Sequence, residues 1–144
     1  MKYINRLYSE VLNEVRQSKS EEEKISLLRE NETPVLLMIF KYGFGKLNSP
    51  YKNGVPKYTP DDSPYGFSYT SLNKEIQRLP FFFETKQLIS DEKFRDKKLK
   101  NLLEMLHFSE AALVENIFSK KLDRYVSKEI VIKAFPKLKE EIGD

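Results

Sequence analysis

Apolar side chains recur at helical steps along almost the whole chain. Tyr3, Ile4, Leu7, Tyr8, Val11, Leu12 and Val15 follow one another at three- and four-residue intervals, so a first helix is predicted that buries a single stripe. Ser20 followed by Glu23 has the spacing of a capping box and predicts a short second helix, with Ile25, Leu27 and Leu28 inward. Glu21, Glu22 and Glu23 would then sit where the helix dipole favours negative charge. Thr33-Pro34 predicts the start of a third helix, threonine capping and proline in the first helical position. Val35 to Phe40 is apolar nearly all round, as expected of a central helix, and Gly43 is expected to stop it in a left-handed conformation.

The periodicity then disappears. Between Phe44 and Ser68 glycine, proline and aspartate recur at Gly45, Pro50, Gly54, Pro56, Pro60, Asp61, Asp62, Pro64 and Gly66, which disfavours regular structure. The same stretch carries Tyr51, Tyr58, Tyr65 and Phe67. A disordered linker is poor in aromatics, so an ordered loop over about 44–68, pinned to the helices by its tyrosines, is expected. Helical spacing resumes at Leu72, Ile76 and Leu79, running towards Pro80 and the Phe81-Phe82-Phe83 cluster. Ser90 is expected to cap a fifth helix, with Phe94, Leu99, Leu102, Leu103 and Leu106 inward. Ser109 is expected to cap a sixth, burying Leu113, Ile117 and Phe118, and Ser127 a last one, burying Ile130, Val131, Ala134 and Phe135 before Pro136. The fold class is therefore all-α: one multi-helix domain over residues 1–144, with about six or seven helices and one long Pro/Gly/Tyr-rich loop.

Composition narrows the class. The longest apolar run, Pro34 to Phe40, is far short of the about 20 residues a membrane span needs, and 33% of the residues are charged, so no membrane association is expected. Met1-Lys2 leads into an amphipathic start, so no signal peptide is expected. The chain has no cysteine, which leaves no disulfide, thiolate nucleophile or thiolate zinc site, and a cytoplasmic location is the expectation. The net charge is only +3, but it is unevenly spread. Lys93 to Lys100 (KFRDKKLK) holds five basic residues and one acid, and Lys120, Lys121, Arg124, Lys128, Lys133, Lys137 and Lys139 add a second basic set.

Catalytic chemistry is not apparent. His107 is the only histidine, placed between Leu106 and Phe108, where a structural role or a contact with a helix C-terminus is expected. Tyr42-Gly43-Phe44-Gly45 lacks the preceding strand of a phosphate-cradling loop. Asp61-Asp62 could ligate magnesium, but a turn-forming Pro-Asp-Asp is the plainer reading; no metal and no cofactor are expected.

Two blocks carry a resemblance. Leu28-Arg29-Glu30-Asn31-Glu32-Thr33-Pro34-Val35-Leu36-Leu37 resembles an early passage of the N-terminal DNA-binding domain of phage-type ATP-dependent DNA ligases. The segment from Lys120 to Leu138 resembles the end of that domain, where a basic helix passes through a Val-Ser turn into a helix ending in aromatic-Pro. Over most of its length the chain is similar to a family of small proteins of T-even-like tailed phages. The shared features are the Gly54–Pro60 loop, Leu102 to Glu104 and the terminal Ala134-Phe135-Pro136. The resemblance implies a ligase-domain-like helical fold and, for a phage protein, the host bacterial cytoplasm.

It also implies that the domain grips duplex DNA through helix N-termini and basic side chains. Ser127 and Lys128 at a helix start would bind a phosphate, with Lys120, Lys121, Arg124 and Lys133, and Lys93, Arg95, Lys97 and Lys98, supplying further charge. Such contacts position a protein on nucleic acid without reading sequence. Ligase adenylation needs a Lys-x-Asp-Gly nucleophile; the nearest approach, Lys121-Leu122-Asp123-Arg124, lacks the glycine, so a non-enzymatic role is expected. Two other readings stand beside this one. The lysines, interleaved with Asp96, Asp123 and Glu129, read equally as a solvated helix face. The loop aromatics Tyr51, Tyr58, Tyr65 and Phe67 suit an adaptor that docks a host or phage protein, and a virion component is a further alternative.

Overall fold

A computed structural model describes residues 6–64 and 67–143; Tyr3, Ile4 and Tyr65 lie outside the described residues. Eight α-helices run through the described residues: α1 (Tyr8–Gln17), α2 (Glu21–Glu30), α3 (Pro34–Phe44), α4 (Leu72–Glu75), α5 (Glu92–Met105), α6 (Phe108–Phe118), α7 (Lys128–Ala134) and α8 (Lys139–Ile142). A 3-10 stretch, Ile76–Phe82, continues α4 and takes Pro80 into its last turn; shorter 3-10 turns cover Leu122–Arg124 and Pro136–Leu138. None of the described helices is long and apolar enough to cross a membrane.

Local chemistry starts several helices as expected. Ser20 Oγ accepts from Glu23 N, Thr33 Oγ1 from Leu36 N and Ser127 Oγ from Ile130 N. Elsewhere the cap belongs to a neighbour. Asp91, not Ser90, caps α5 by accepting from Phe94 N, a stronger bond because its acceptor is charged. His107, not Ser109, caps α6: its Nδ1 accepts from Ser109 N, while Ser109 Oγ turns to His107 Nδ1 and to Ser9 Oγ of α1. The chain also continues past Pro136 into α8, whose Ile142 is buried.

Helix α6 is the hub. It packs against α1, α3 and α5 and against the 3-10 turn that follows it. Its Phe118 is enclosed by Phe82, Phe83 and Tyr51, with ring centroids 5.4–6.3 Å away. Phe40 of α3 meets Phe44 and Phe135, both at 6.2 Å. Burying one such side chain contributes about 1.5–3 kcal/mol, so these rings dominate the core. Phe94, expected inward, is half-exposed, because α5 turns Leu99, Leu102 and Leu103 to the core instead. Helices α2 and α7 form a second layer, joined by Arg29, which donates to the carbonyls of Lys133 and Ala134 at 3.1 Å.

Two close approaches fix the layers. Gly43 does not stop α3 in a left-handed conformation; it lies inside the helix, which ends at the extended Gly45. Glycine is needed there because a Cβ would stand 2.0 Å from Leu122 Cδ1. Glu110 of α6 is fully buried and accepts from Tyr8 N at 3.3 Å and Leu72 N at 2.8 Å, the first residues of α1 and α4. One carboxylate thus satisfies orphan donors at two helix starts. Burial raises its pKa, which the two backbone donors oppose.

Candidate functional site

The segment between α3 and α4 is tied down by its tyrosines. Tyr51 is buried against Phe118, and its hydroxyl donates to Asp96 Oδ1 at 2.6 Å while accepting from Arg95 Nε at 3.0 Å. Arg95 also donates to the Ile89 carbonyl and lies 5.4 Å from the Tyr51 ring centroid. Tyr58 donates to Glu115 Oε2 at 2.5 Å. Burial and the Asp96 carboxylate raise the Tyr51 pKa to about 12 against the opposing pull of Arg95, and burial and Glu115 push that of Tyr58 higher still. Asp61 forms a turn, its Oδ1 accepting from the backbone and hydroxyl of Ser63. Phe67, by contrast, is 76% exposed, and Tyr69 beyond it 85%.

The basic residues fall into three groups. On α5, Lys93, Lys97 and Lys98 are exposed, Lys98 lying over the Phe94 ring, whereas Arg95 is turned inward to Tyr51. On α7, Ser127 is used in capping, Lys128 is half-buried and engaged, and Lys133 forms an ion pair with Glu21 of α2 at 3.0 Å. Beyond it, Lys137 pairs with Glu32 at 2.5 Å. Lys133 thus meets the acidic start of α2, and Lys137, in the 3-10 turn after α7, an acid just past the end of α2.

The third group lies at the end of α6. Lys121 and Arg124 line a cleft of about 450 Å³ whose opposite wall is Tyr51 to Val55, which brings in Lys52. Arg124 is aimed by Asn116, whose Oδ1 accepts from its Nη1 at 3.1 Å; Asn116 itself donates to the Ala112 carbonyl and the Tyr125 hydroxyl. Tyr125 is buried, so it packs in this junction and presents no stacking face. Glu115 and Ser119 complete the floor.

Lys120 is not part of that lining. Its backbone is left-handed, with φ of 61°, and its ammonium donates to the carbonyls of Tyr42 and Gly45 at 2.6 and 2.9 Å, closing the C-terminus of α3. It also lies 5.5 Å from the Phe83 ring centroid. Burial draws its pKa down to about 8, and the nearby Lys52 charge adds to this. Lys52 was not among the residues singled out from the sequence, where charge was weighed by helical runs; its signal is a lysine flanking the Asn53-Gly54 turn, in which Gly54 has φ of 144°.

A larger polar cleft, about 780 Å³, opens beside Glu110. Its central groups bond one another: Tyr8 Oη to Thr33 Oγ1 and Asn73 Oδ1, Glu110 to two backbone donors. Arg6 and Lys74 also line it, but beside Glu10 and Glu110, and Arg6 is paired with Glu14; the basic cleft differs in setting three cations against the single carboxylate of Glu115.

Fold and cleft together define an all-helical protein with a small, positively lined recess at one helix end. Residues 11–124 match the model of DUF6433, a family of unknown function, and the chain belongs to that family. The match takes in Lys52, Lys121 and Arg124 and ends before α7. No curated protein and no solved structure matches the chain.

Proposed function

We propose that this is a non-enzymatic accessory protein that holds the backbone of duplex DNA without reading its sequence. The observation that carries the reading is the convergence of Lys52, Lys121 and Arg124 on one cleft, from two segments far apart in the chain. Cations so gathered displace condensed counterions from phosphates, which is the main source of non-specific affinity. The resemblance to phage proteins and to the ligase DNA-binding domain supports the same reading and suggests a phage protein acting in the host cytoplasm. Within that reading the cleft carries the contact, with Lys93, Lys97 and Lys98 as an outlying group and Lys133 of α7 paired with Glu21 of α2.

Retention of a short duplex at low salt tests it. Replacing Lys52, Lys121 and Arg124 with glutamate is expected to abolish retention while the protein stays folded. Undiminished retention by that variant would discard the reading.

A second reading, an adaptor that docks a host or phage protein, is favoured by one observation: Phe67 and Tyr69 present their rings to solvent. Tyr51 and Tyr58 contribute to it only as anchors of the segment. A protein partner retained after nuclease treatment, and lost when Phe67 and Tyr69 are both replaced by serine, would favour this reading over DNA.

A further inference from the structure

We infer that the basic cleft takes a terminal phosphate monoester, as borne by a strand end or a free nucleotide, in preference to the continuing phosphodiester backbone. The inference rests on the nucleic-acid reading above and narrows it to one chemical group. Three features of the cleft carry it.

The first is shape. A duplex backbone lies along an open track, whereas Lys52, Lys121 and Arg124 line a recess of about 450 Å³. That volume belongs to the range of small-molecule sites, about 300–1,000 Å³. The second is charge. A phosphodiester carries one negative charge, while a phosphate monoester near neutral pH carries about −1.5 to −2. Three cations around one recess match the monoester better, and Arg124 is already aimed by its bond to Asn116.

The third is an acidic side chain in the lining. Glu115 lines the recess, and the Tyr58 hydroxyl holds its carboxylate in place. A fixed negative charge there repels a second phosphate, so a strand entering the recess ends or turns away. On α7 and the turn after it, Lys133 and Lys137 are paired with Glu21 and Glu32.

Fluorescence anisotropy would compare two duplexes of identical sequence, one with 5′-phosphate and one with 5′-hydroxyl ends. The phosphorylated duplex is expected to bind about tenfold more tightly, the gain of one charge-assisted contact. The gap should shrink as pH falls below about 6, where the monoester loses its second charge. Glu115→Gln, which keeps an acceptor for Tyr58, should strengthen binding of the 5′-hydroxyl duplex and narrow the gap. Adenosine 5′-monophosphate identifies the source. Competition at low concentration points to a free nucleotide, and failure to compete, with the tenfold gap intact, points to a strand end. Equal binding of the two duplexes, with no competition by adenosine 5′-monophosphate, overturns the inference and leaves non-specific backbone contact standing. Binding of neither duplex nor of the mononucleotide removes both.

Discussion

The Lys120 ammonium donates to the Tyr42 carbonyl across 78 residues of chain, at 2.6 Å, and to that of Gly45 at 2.9 Å. This contact fastens the end of α3 to the chain just past α6, between Ser119 and Lys121 of the cleft lining. A residue that reads as one more surface cation in the sequence is therefore a helix cap. Lys120→Met keeps the apolar stem but strands the carbonyls, and is expected to destabilise the fold by about 1–3 kcal/mol in a denaturant titration. Lys120→Gly relieves the left-handed backbone at φ 61° and so should cost less than the lost cap alone suggests. A variant with methionine there that is as stable as the parent would show that the cap carries no net energy.

The same residue shapes the alkaline limb of the stability curve. Its pKa falls from 10.5 to about 8 on folding, so between those values the unfolded chain binds more protons and stability rises with pH. Tyr51 and Tyr58 act in the opposite sense. Their folded pKa values lie above the ordinary 10.0, so above pH 10 the unfolded tyrosines ionise while the folded ones do not, and stability falls. Urea midpoints are expected to climb from about pH 8 to about pH 10 and then drop. In Lys120→Met the climb should be absent and the drop retained.

Much of the helical pattern was readable because helix caps are local. Ser20, Thr33 and Ser127 each accept from a donor three residues on, a relation visible in the chain itself. Where two neighbours compete for a cap, tertiary partners decide. Ser109 yields to His107 because its hydroxyl is engaged with Ser9 of another helix. Gly43 departs from its expected role for a similar reason: its lack of a side chain serves Leu122, not the backbone conformation of a helix end. The basic cleft was half readable. Lys121 and Arg124 stand out as charges, but Lys52 joins them only because Tyr51 is anchored on Asp96 and Phe118, which no spacing rule reveals.

Gly43→Ala tests that close approach. The new methyl would meet the Leu122 side chain, which is itself fully buried and has little room to yield. Overpacking of this kind costs about 1–3 kcal/mol, to be read as a lowered thermal midpoint. Gly54→Ala, with nothing within 4 Å of its Cβ, should lose stability through its backbone conformation alone. Pairing Gly43→Ala with Leu122→Ala should recover part of the loss, an interaction that independent sites would not show.

Glu110 joins three helices through one buried carboxylate. Glu110→Ala leaves the Tyr8 and Leu72 amides without their acceptor and is expected to cost about 2–4 kcal/mol. Because burial raises its pKa, the carboxylate itself is costly, and Glu110→Gln should fall between parent and alanine variant, keeping one carbonyl acceptor for two donors. Amide exchange at the starts of α1 and α4 should accelerate together in the alanine variant, since the same side chain secures both. Acceleration at only one of them would mean that the two helices are held independently.

Salt dependence separates the cations that act from those that do not. On the backbone reading, in which three side chains each neutralise a phosphate of their own, the log of the duplex affinity should fall with the log of salt at a slope of about −2.7, and a single end phosphate held by all three would give a shallower slope. Lys121→Ala should reduce the magnitude of that slope by about 0.9, as should Lys52→Ala. Lys133→Ala should leave it unchanged, because its charge is already matched by Glu21 on a pair open to solvent. Such a surface pair contributes about 0–1 kcal/mol, so its removal should barely alter stability either. Equal effects of Lys121→Ala and Lys133→Ala would mean that DNA meets the whole basic surface, α7 included, and that the cleft has no privileged part in holding it.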